Sequence, residues 1–293
     1  MNKTTLGIIG GSGVYNVDGL KNSKWVDVNT PFGSPSDSLL TGTLHDLEVV
    51  FLPRHGRGHV FSPTEVPYQA NIYALKSIGV TDILAVSACG SLQEDMKPGD
   101  FVIVDQFVDR TFSRPKSFFG KGCVAHVSMA KPTCERLSEL ASVAMENIGI
   151  KFHQSATYLA MEGPQFSTLA ESLLYRESWN CDVIGMTNMP EAKLAREAEL
   201  CYLPVAMVTD YDCWHEDHEN VEVSDIIKTL GENSQKAKSL VIEFASLFGP
   251  VKENCLCGCD VALEHAIITD PQKIPDETKK RLECITNRVL ATR

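Results

Sequence analysis

The chain has 293 residues, which fits one large domain or two small ones. Hydrophobic residues make up 43% of it, so a sizeable core is expected and disorder is not. The formal net charge of -11 argues against general nucleic-acid binding, which needs clustered Lys and Arg, but it allows a small anionic substrate held by a few local cations. The apolar runs are too short for a signal peptide or a membrane span, so we predict a cytoplasmic protein that binds neither nucleic acid nor membrane.

Short apolar runs alternate with helix-like segments along the chain. Buried strands are predicted at residues 6–9, 47–52, 83–86, 101–104 and 205–208, where continuous apolar runs indicate that both faces are covered. Helical spacing predicts helices over residues 68–78, from Asn188, and from about 224 to Gly249-Pro250. Asn188 followed by Glu191 has the spacing of an N-terminal cap, and Pro275 begins a final helix.

This alternation predicts the α/β class: a single three-layer domain with a C-terminal helical extension. We place the main domain at residues 1–249. The Cys-rich turn and the C-terminal helix, at 250–293, are expected to pack on that same domain. Residues 110–130 are rich in Ser, Gly and Lys and are predicted to form a long functional loop.

A glycine-rich segment, residues 10–13, directly follows the first predicted strand. Glycines let the backbone approach an anion closely, and the Ser12 hydroxyl can hold a phosphate oxygen. A tight turn is an equally good explanation. A dinucleotide-binding fingerprint is rejected, because Asn16, Gly19 and Asn22 make the following segment a poor helix.

Residues 53–59 place Arg54, His55, Arg57 and His59 directly after the second of these strands. This composition is typical of an anion clamp, since the planar Arg side chain matches phosphate bidentately. A solvated polar loop is the alternative. A metal site at the two histidines is less well supported, because the intervening glycines argue against the helix that would align them.

Further polar residues follow other strands. Ser87 and the backbone N–H of Ala88 could complete an oxyanion cage, and the junction at residues 185–188 offers a helix N-terminus to an anion. Phe166, in a segment that combines an acid, a turn and an aromatic ring, could stack on a base or pack in the core. Asp210 and Asp212 could protonate a leaving nitrogen and accept from an exocyclic amine, with metal binding as the alternative.

Taken together, six motifs, GGSG, RHGRGH, SACGSL, EGPQFS, GMTNMPE and TDYDCW, resemble the methylthioadenosine phosphorylase branch of the trimeric purine nucleoside phosphorylases. The resemblance covers about residues 6–248. It implies a central mixed β-sheet that partly closes into a barrel between helices, with residues 1–249 as the nucleoside phosphorylase domain. It also implies a homotrimer with sites near subunit interfaces.

The resemblance further implies a role for each site residue. Phosphate would be held by Ser12, Arg54, His55, Ser87, Ala88 and Thr187. Glu162 and Met186 would line the ribose side, Phe166 and Ser167 would sit at the purine, Asp210 would support protonation of N7, and Asp212 would accept from the 6-amino group. The apolar 5'-methylthio pocket would contain Val223, Ile226 and Ile227, with His126 lent by the neighbouring subunit.

These roles imply phosphorolysis of 5'-methylthioadenosine, with inorganic phosphate as cosubstrate, no cofactor and no catalytic metal. A carboxylate at position 212 favours a 6-aminopurine, because an ionised carboxylate can only accept hydrogen bonds. Phosphorolysis of adenosine, inosine or guanosine is the alternative activity, and a non-catalytic nucleotide sensor is a second. Gln165, where many members have Arg, leaves any charge contribution from that position open.

Three cysteines crowd together in the segment Cys255-Leu256-Cys257-Gly258-Cys259. It is similar to the tail of some archaeal-type relatives, in which cysteines form disulfides. A redox-active pair or a thiolate–metal site remains an alternative reading of the same residues.

Overall fold

The structure is a computed structural model, and it describes residues 3–11, 13–215, 223–249, 251 and 254–291, without the side chains of 223–227. In these ranges the strands are β1 (Thr5–Gly10), β2 (Lys21–Val26), β3 (Leu39–Leu44), β4 (Leu47–Pro53), β5 (Asp82–Ser91), β6 (Phe101–Arg110), β7 (Phe152–Met161), β8 (Val183–Gly185) and β9 (Cys201–Asp210). The helices are α1 (Tyr68–Ser77), α2 (Glu135–Asn147), α3 (Leu169–Leu173), α4 (Asn188–Glu197), α5 (Val223–Ser246) and α6 (Asp276–Leu290).

The strands form one mixed sheet that closes on itself in part. Their order is β2-β3-β4-β1-β5-β8-β7-β6-β9, and β9 also pairs with β5. The strands β5, β8, β7, β6 and β9 therefore make a closed ring, with β1 to β4 as an open extension. Because β9 runs parallel to β5 and antiparallel to β6, the ring is mixed. The predicted barrel-like sheet is confirmed.

Helices cover both faces of the sheet, which gives the predicted three layers. One core combines residues of α1, α4 and α6, and the other combines residues of α2 and α5. Successive residues of β9 alternate between the two cores: Tyr202 belongs to the first and Leu203 to the second. This period of two is the pleat of a strand covered on both sides. None of the helices within the described ranges is both long and apolar enough to cross a bilayer.

The C-terminal segment packs against the same two cores. Leu282 and Ile285 of α6 join the core that contains α1, whereas Cys255 and Cys259 join the core that contains α5. Arg288 anchors the last helix through Glu199, which lies just before β9, with a 2.7 Å contact from Nη2 to Oε1. The chain after α5 is thus integrated into the sheet-and-helix body.

The five predicted strands and the four predicted helices are present, although several strands run further than their apolar runs. The predicted capping role of Asn188 is wrong. Its buried side chain instead donates to Tyr202 Oη at 3.1 Å and accepts from Ser87 Oγ at 3.1 Å. Met189 has extended dihedrals, so the regular helix begins after it. The Asn188 amide thus links Ser87 of β5 to Tyr202 of β9.

Candidate active site

Residues from motifs far apart in the chain meet in one cavity of about 430 Å³. Its lining includes the predicted residues Arg54, His55, Ser87, Ala88, Phe166, Met186, Thr187, Asp210 and Asp212. The topology explains the convergence, because β4, β1, β5 and β9 are neighbours in this order and each runs parallel to the next. Their carboxyl ends lie at one edge of the sheet, where ligands of α/β proteins bind.

Arg54 is held at one end of the cavity by a buried ion pair. Its Nε and Nη2 donate to the Glu191 carboxylate at 2.8 and 2.9 Å, and Nη1 donates to the Val86 carbonyl at 2.9 Å. Burial lowers the pKa of Arg54, but Glu191 outweighs it and holds the pKa above its ordinary value. Glu191 of helix α4 therefore holds the Arg54 guanidinium in place as a permanent cation. The N–H groups of Arg54 that these contacts do not use are available to an anion in the cavity.

His55 lies beside Arg54 and is neutral at pH 7. Burial and the charge of Arg54 lower its pKa to about 4. Nδ1 is 2.9 Å from the Phe61 carbonyl, so this nitrogen carries the proton and Nε2 is an acceptor. The ring stacks on His59, with centroids 4.3 Å apart. A neutral imidazole in this tautomer can accept a hydrogen bond at Nε2 from the hydroxyl of a hydrogen phosphate.

Asp210 and Asp212 form the acidic part of the cavity, and their environments differ. Asp210 accepts from Thr209 Oγ1 at 2.7 Å and from the backbone N–H of Asp212 at 2.8 Å. Asp212 Oδ2 is buried and accepts no hydrogen bond of good geometry from the described residues, although the hydroxyls of Ser172 and Ser167 lie near enough to the Asp212 carboxyl to lower its pKa in part. Burial, together with the Asp210 charge, raises the pKa of Asp212 above its ordinary value. A buried unpaired acceptor is costly, so this oxygen is suited to a ligand N–H donor.

Gly90 makes room for this acid pair. It pairs with Asp210 across the β5–β9 ladder. A Cβ at this position would lie 2.9 Å from Asp210 Oδ1 and 3.3 Å from the Asp212 nitrogen. A side chain on β5 would therefore displace the carboxylates, and the glycine of the SACGSL motif is needed for their close approach.

The side chains between the two ends are apolar or weakly polar. Phe166 is 58% exposed, so a ring face is free for stacking at the cavity. Met186 packs close to Gly163, whose positive φ of 68° lets the chain turn there. Ser87 and Thr187 are buried beneath, next to Asn188. Leu230 and Ser234 of α5 complete the wall.

Three predicted residues that the structure describes do not line this cavity. The Glu162 carboxylate accepts hydrogen bonds from the side chains of Thr64 and Arg114 and from two backbone N–H groups of the 110–130 loop. Ser167 Oγ faces Met161 Sδ at 3.8 Å. His126 is exposed, and its backbone N–H donates to the Ala266 carbonyl at 2.9 Å.

Four predicted site groups fall where the structure gives no description. Ser12 lies outside the described residues, as do the side chains of Val223, Ile226 and Ile227.

Two supporting residues were missed in the sequence. The spacing from Asn188 predicts that Glu191 belongs to a helix cap, whereas its carboxylate forms the buried ion pair with Arg54. A Glu among alanines and a leucine on an inward helix face is a signal of such a pair. Arg114 also carried no predicted role. It donates to the Met189 carbonyl at 2.7 Å and to the Glu162 carbonyl at 2.6 Å, which ties the loop to the cavity wall. No local pattern marks such a loop arginine.

A mixed barrel with helices on both faces, and a cavity lined by a fixed cation and by two acids, defines an α/β protein suited to bind an anion and a nitrogenous base together. The family model described as the phosphorylase superfamily matches residues 5–246. The chain belongs to this superfamily.

Curated relatives cover nearly the whole chain. An S-methyl-5'-thioadenosine phosphorylase of Cereibacter sphaeroides is 60% identical over 288 residues, covering 98% of this chain and 99% of the relative. One with the same name from Rhodospirillum rubrum is 55% identical over 285 residues, covering 97% of each.

Solved structures agree in fold. A methylthioadenosine phosphorylase from an antarctic soil metagenomic library superposes with a TM-score of 0.91 at 46% identity, covering 97% of this chain and 99% of that one. The methylthioadenosine phosphorylase of Schistosoma mansoni in complex with adenine gives a TM-score of 0.81 at 37% identity, covering 88% and 96%.

Proposed function

We propose that the protein cleaves 5'-methylthioadenosine with inorganic phosphate, giving adenine and 5-methylthioribose 1-phosphate. The observation that carries this proposal is that a single cavity is lined both by the buried Arg54 cation and by the acid pair Asp210 and Asp212. The names of the full-length relatives support the same activity.

Phosphate binds at the end that contains Arg54, His55, Ser87, Ala88 and Thr187, with Ser12 as a further ligand. A cation already fixed by Glu191 holds the dianion without reorganising. Phosphate attacks C1' of the ribose as the glycosidic bond breaks. The positive charge that develops on the sugar is stabilised by the phosphate beside it, so no metal or organic cofactor is required.

The purine occupies the acidic end. Asp210 assists protonation of N7, so the base leaves as neutral adenine. Asp212 Oδ2 accepts from the 6-amino group, which gives the buried oxygen its partner. Phe166 covers a face of the ring, with Ser167 at its edge. Met186 and Glu162 lie on the ribose side, where Glu162 acts through the loop that it holds.

The 5' substituent is directed toward α5. Leu230 lines the cavity there. We assign the apolar pocket for the methylthio group to Val223, Ile226 and Ile227 of the same helix. An apolar pocket rejects a hydroxyl only modestly, so adenosine is expected to be a slower substrate and not an excluded one.

The test is adenine release from purified protein. We expect cleavage of methylthioadenosine that requires phosphate and yields a sugar phosphate, with adenosine slower and inosine slower still. Binding of methylthioadenosine and phosphate without adenine release would identify a sensor instead. Cleavage of inosine in preference to both aminopurines would identify a phosphorylase for other nucleosides.

The assembly and location also belong to the proposal. We propose a homotrimer in which His126 completes the neighbouring site, and its exposure on its own subunit fits that role. The metabolic chemistry of the relatives supports a cytoplasmic location. Sedimentation of the purified protein and cell fractionation test the two statements.

A further inference from the structure

Four cysteines that the proposed reaction does not use meet at one point. The sulfur atoms of Cys134, Cys201, Cys255 and Cys259 all lie within 4.8 Å of one another, and all four side chains are buried. Cys257, although it belongs to the same turn, is outside the group and partly exposed. The clustering is thus selective within a segment of five residues.

The spacing of the sulfurs matches a single tetrahedral metal ion. A Zn–S bond of about 2.3 Å places two sulfurs of a tetrahedron about 3.8 Å apart. The Cys134 and Cys255 sulfurs are 3.6 Å apart. Four thiolates in this geometry are typical of structural zinc sites, and the same set disfavours hard ions such as magnesium.

The backbone holds each cysteine in place. The Cys134 N–H donates to the Tyr202 carbonyl at 2.9 Å, and the Cys201 N–H donates to the Thr81 carbonyl at 3.1 Å. The Cys255 N–H donates to Asp260 Oδ2 at 3.1 Å. Gly258 has a positive φ of 70°, and this turn brings Cys259 back beside Cys255. Such preorganisation is expected of a binding site and lowers the cost of metal capture.

The surroundings can compensate the charge of a four-thiolate site. Cys134 occupies the N-cap position of α2, where the helix dipole favours negative charge. Arg136, in the first turn of that helix, interacts with Cys201 and pairs with Asp82. Its Nε is buried without a hydrogen-bond partner among the described residues. An N–H group that donates a hydrogen bond to a metal-bound sulfur is a common feature around such sites.

We propose that Cys134, Cys201, Cys255 and Cys259 bind one structural Zn²⁺ ion per chain. Binding displaces the thiol protons to solvent and involves no oxidation. The ion joins the C-terminal segment to the start of α2 and to the first residue of β9. Asp210 is the last residue of that strand, about 30 Å away at the spacing of an extended chain. The ion therefore acts on stability and not on the reacting atoms.

Metal analysis of the full-length protein tests this directly. The protein is purified without a metal-affinity tag, under reducing conditions, from cells supplied with zinc. We expect one zinc per chain and, after exchange into Co²⁺, the visible bands of tetrahedral thiolate coordination. Removal of the zinc with a chelator should lower Tm by about 5 °C or more, while kcat well below Tm stays unchanged.

Matched variants separate the site from the rest of the turn. Cys259→Ser should lose the zinc and the cobalt bands, whereas Cys257→Ser, two residues away, should keep both. Because Cys259→Ser could also impair folding, cobalt titration of the metal-depleted wild-type chain is read alongside it.

Several results would overturn the proposal. One is a protein that takes up neither zinc nor cobalt while all ten cysteines titrate as free thiols after denaturation. A second is the loss of two or four titratable thiols in metal-free protein purified without reductant and refractory to zinc, which would assign the cluster to disulfides. A third is iron in place of zinc.

Discussion

Asp210 and Asp212 lie in different environments although only one residue separates them. Asp210 is hydrogen-bonded within the protein through both oxygens, whereas Asp212 keeps one buried oxygen without a described partner. An acid oriented by its neighbours is suited to assist proton transfer, and an acceptor waiting for a donor is suited to recognition. The two positions should therefore respond differently to substitution.

Asp210→Ala should lower kcat for methylthioadenosine by about two to four orders of magnitude, which is the range for a positioned acid. Adenine release under saturating phosphate measures it. Asp18→Ala, at an exposed carboxylate outside the cavity, is the control and should retain wild-type turnover. Near-normal turnover of the Asp210 variant would remove that residue from its role.

Asp212→Asn should change the choice of base more than the rate of chemistry. An amide can donate to a 6-oxo group, whereas the carboxylate only accepts. We expect kcat/KM for methylthioinosine relative to methylthioadenosine to rise about 10-fold or more. The measurement is paired kinetics on the two nucleosides. An unchanged ratio would show that Asp212 does not contact the 6 position.

His55 should make the protein sensitive to acid. Its pKa is lowered to about 4 in the folded protein, against an ordinary value of 6.5. Between these two values the unfolded chain binds more protons than the folded one, so the free energy of unfolding decreases as the pH is lowered. This histidine should account for a loss of about 2 kcal/mol between pH 7.5 and pH 5. Urea unfolding without phosphate measures it. His55→Gln should lose less stability over that interval, and an identical loss would refute the assignment.

At the scale of elements, helix α4 acts on the site through one carboxylate. Glu191 lies on its inner face and fixes Arg54, which follows β4, in a pair whose side chains are both 2% exposed. The strand end supplies the cation and the helix sets its direction. The proposed phosphate site therefore depends on the packing of α4 as much as on the RHGRGH loop.

Glu191→Gln should cost about 3–5 kcal/mol of stability, because it leaves a buried guanidinium without its counter-ion. It should also raise KM for phosphate. Denaturant unfolding and phosphate titration of the rate give the two values. Glu135→Gln, which breaks the exposed pair with Lys131, should cost less than about 1 kcal/mol. Equal costs for the two variants would contradict the buried pair's importance.

The sequence predicts which segments form the buried strands, but it underestimates the length of several strands and does not reveal the supporting contacts. Apolar runs mark β1, β4, β5, β6 and β9 because both of their faces are covered. The edge strand β2 escapes notice, since Lys21–Val26 is almost wholly exposed and has no apolar run. The pairs Arg114–Glu162 and Arg54–Glu191 could not be predicted, because 48 and 137 positions separate their members along the chain. Asn188 has the residue type and spacing of a helix cap, but its side chain hydrogen-bonds to Ser87 and Tyr202 instead.

At the scale of the whole molecule, the proposed trimer makes the sites interdependent. His126 is exposed and does not line the cavity of its own chain, so the proposal places its contribution in the site of a neighbouring subunit. Its segment is anchored to the C-terminal part of the chain through the bridge between Ala125 and Ile267.

Mixing inactive subunits tests this dependence. Asp210→Ala and His126→Ala should each be impaired alone, and subunits denatured together and refolded at equal ratio should regain activity at about a quarter of the sites. Initial rates of the mixture, against each variant refolded alone, give the answer. A mixture no more active than the average of its components would place His126 outside the neighbouring site.

The closed ring of strands limits how far Asp210 and Asp212 can move when other parts of the molecule change. Because β9 is hydrogen-bonded to β5 along one side and to β6 along the other, it cannot slide without rupturing two ladders together. A slip of one position would turn the Asp210 carboxylate to the opposite side of the strand. Substitutions in the surrounding helices should therefore leave the position of Asp210 largely unchanged, because the closed ring of strands, and not the helices, fixes the end of β9.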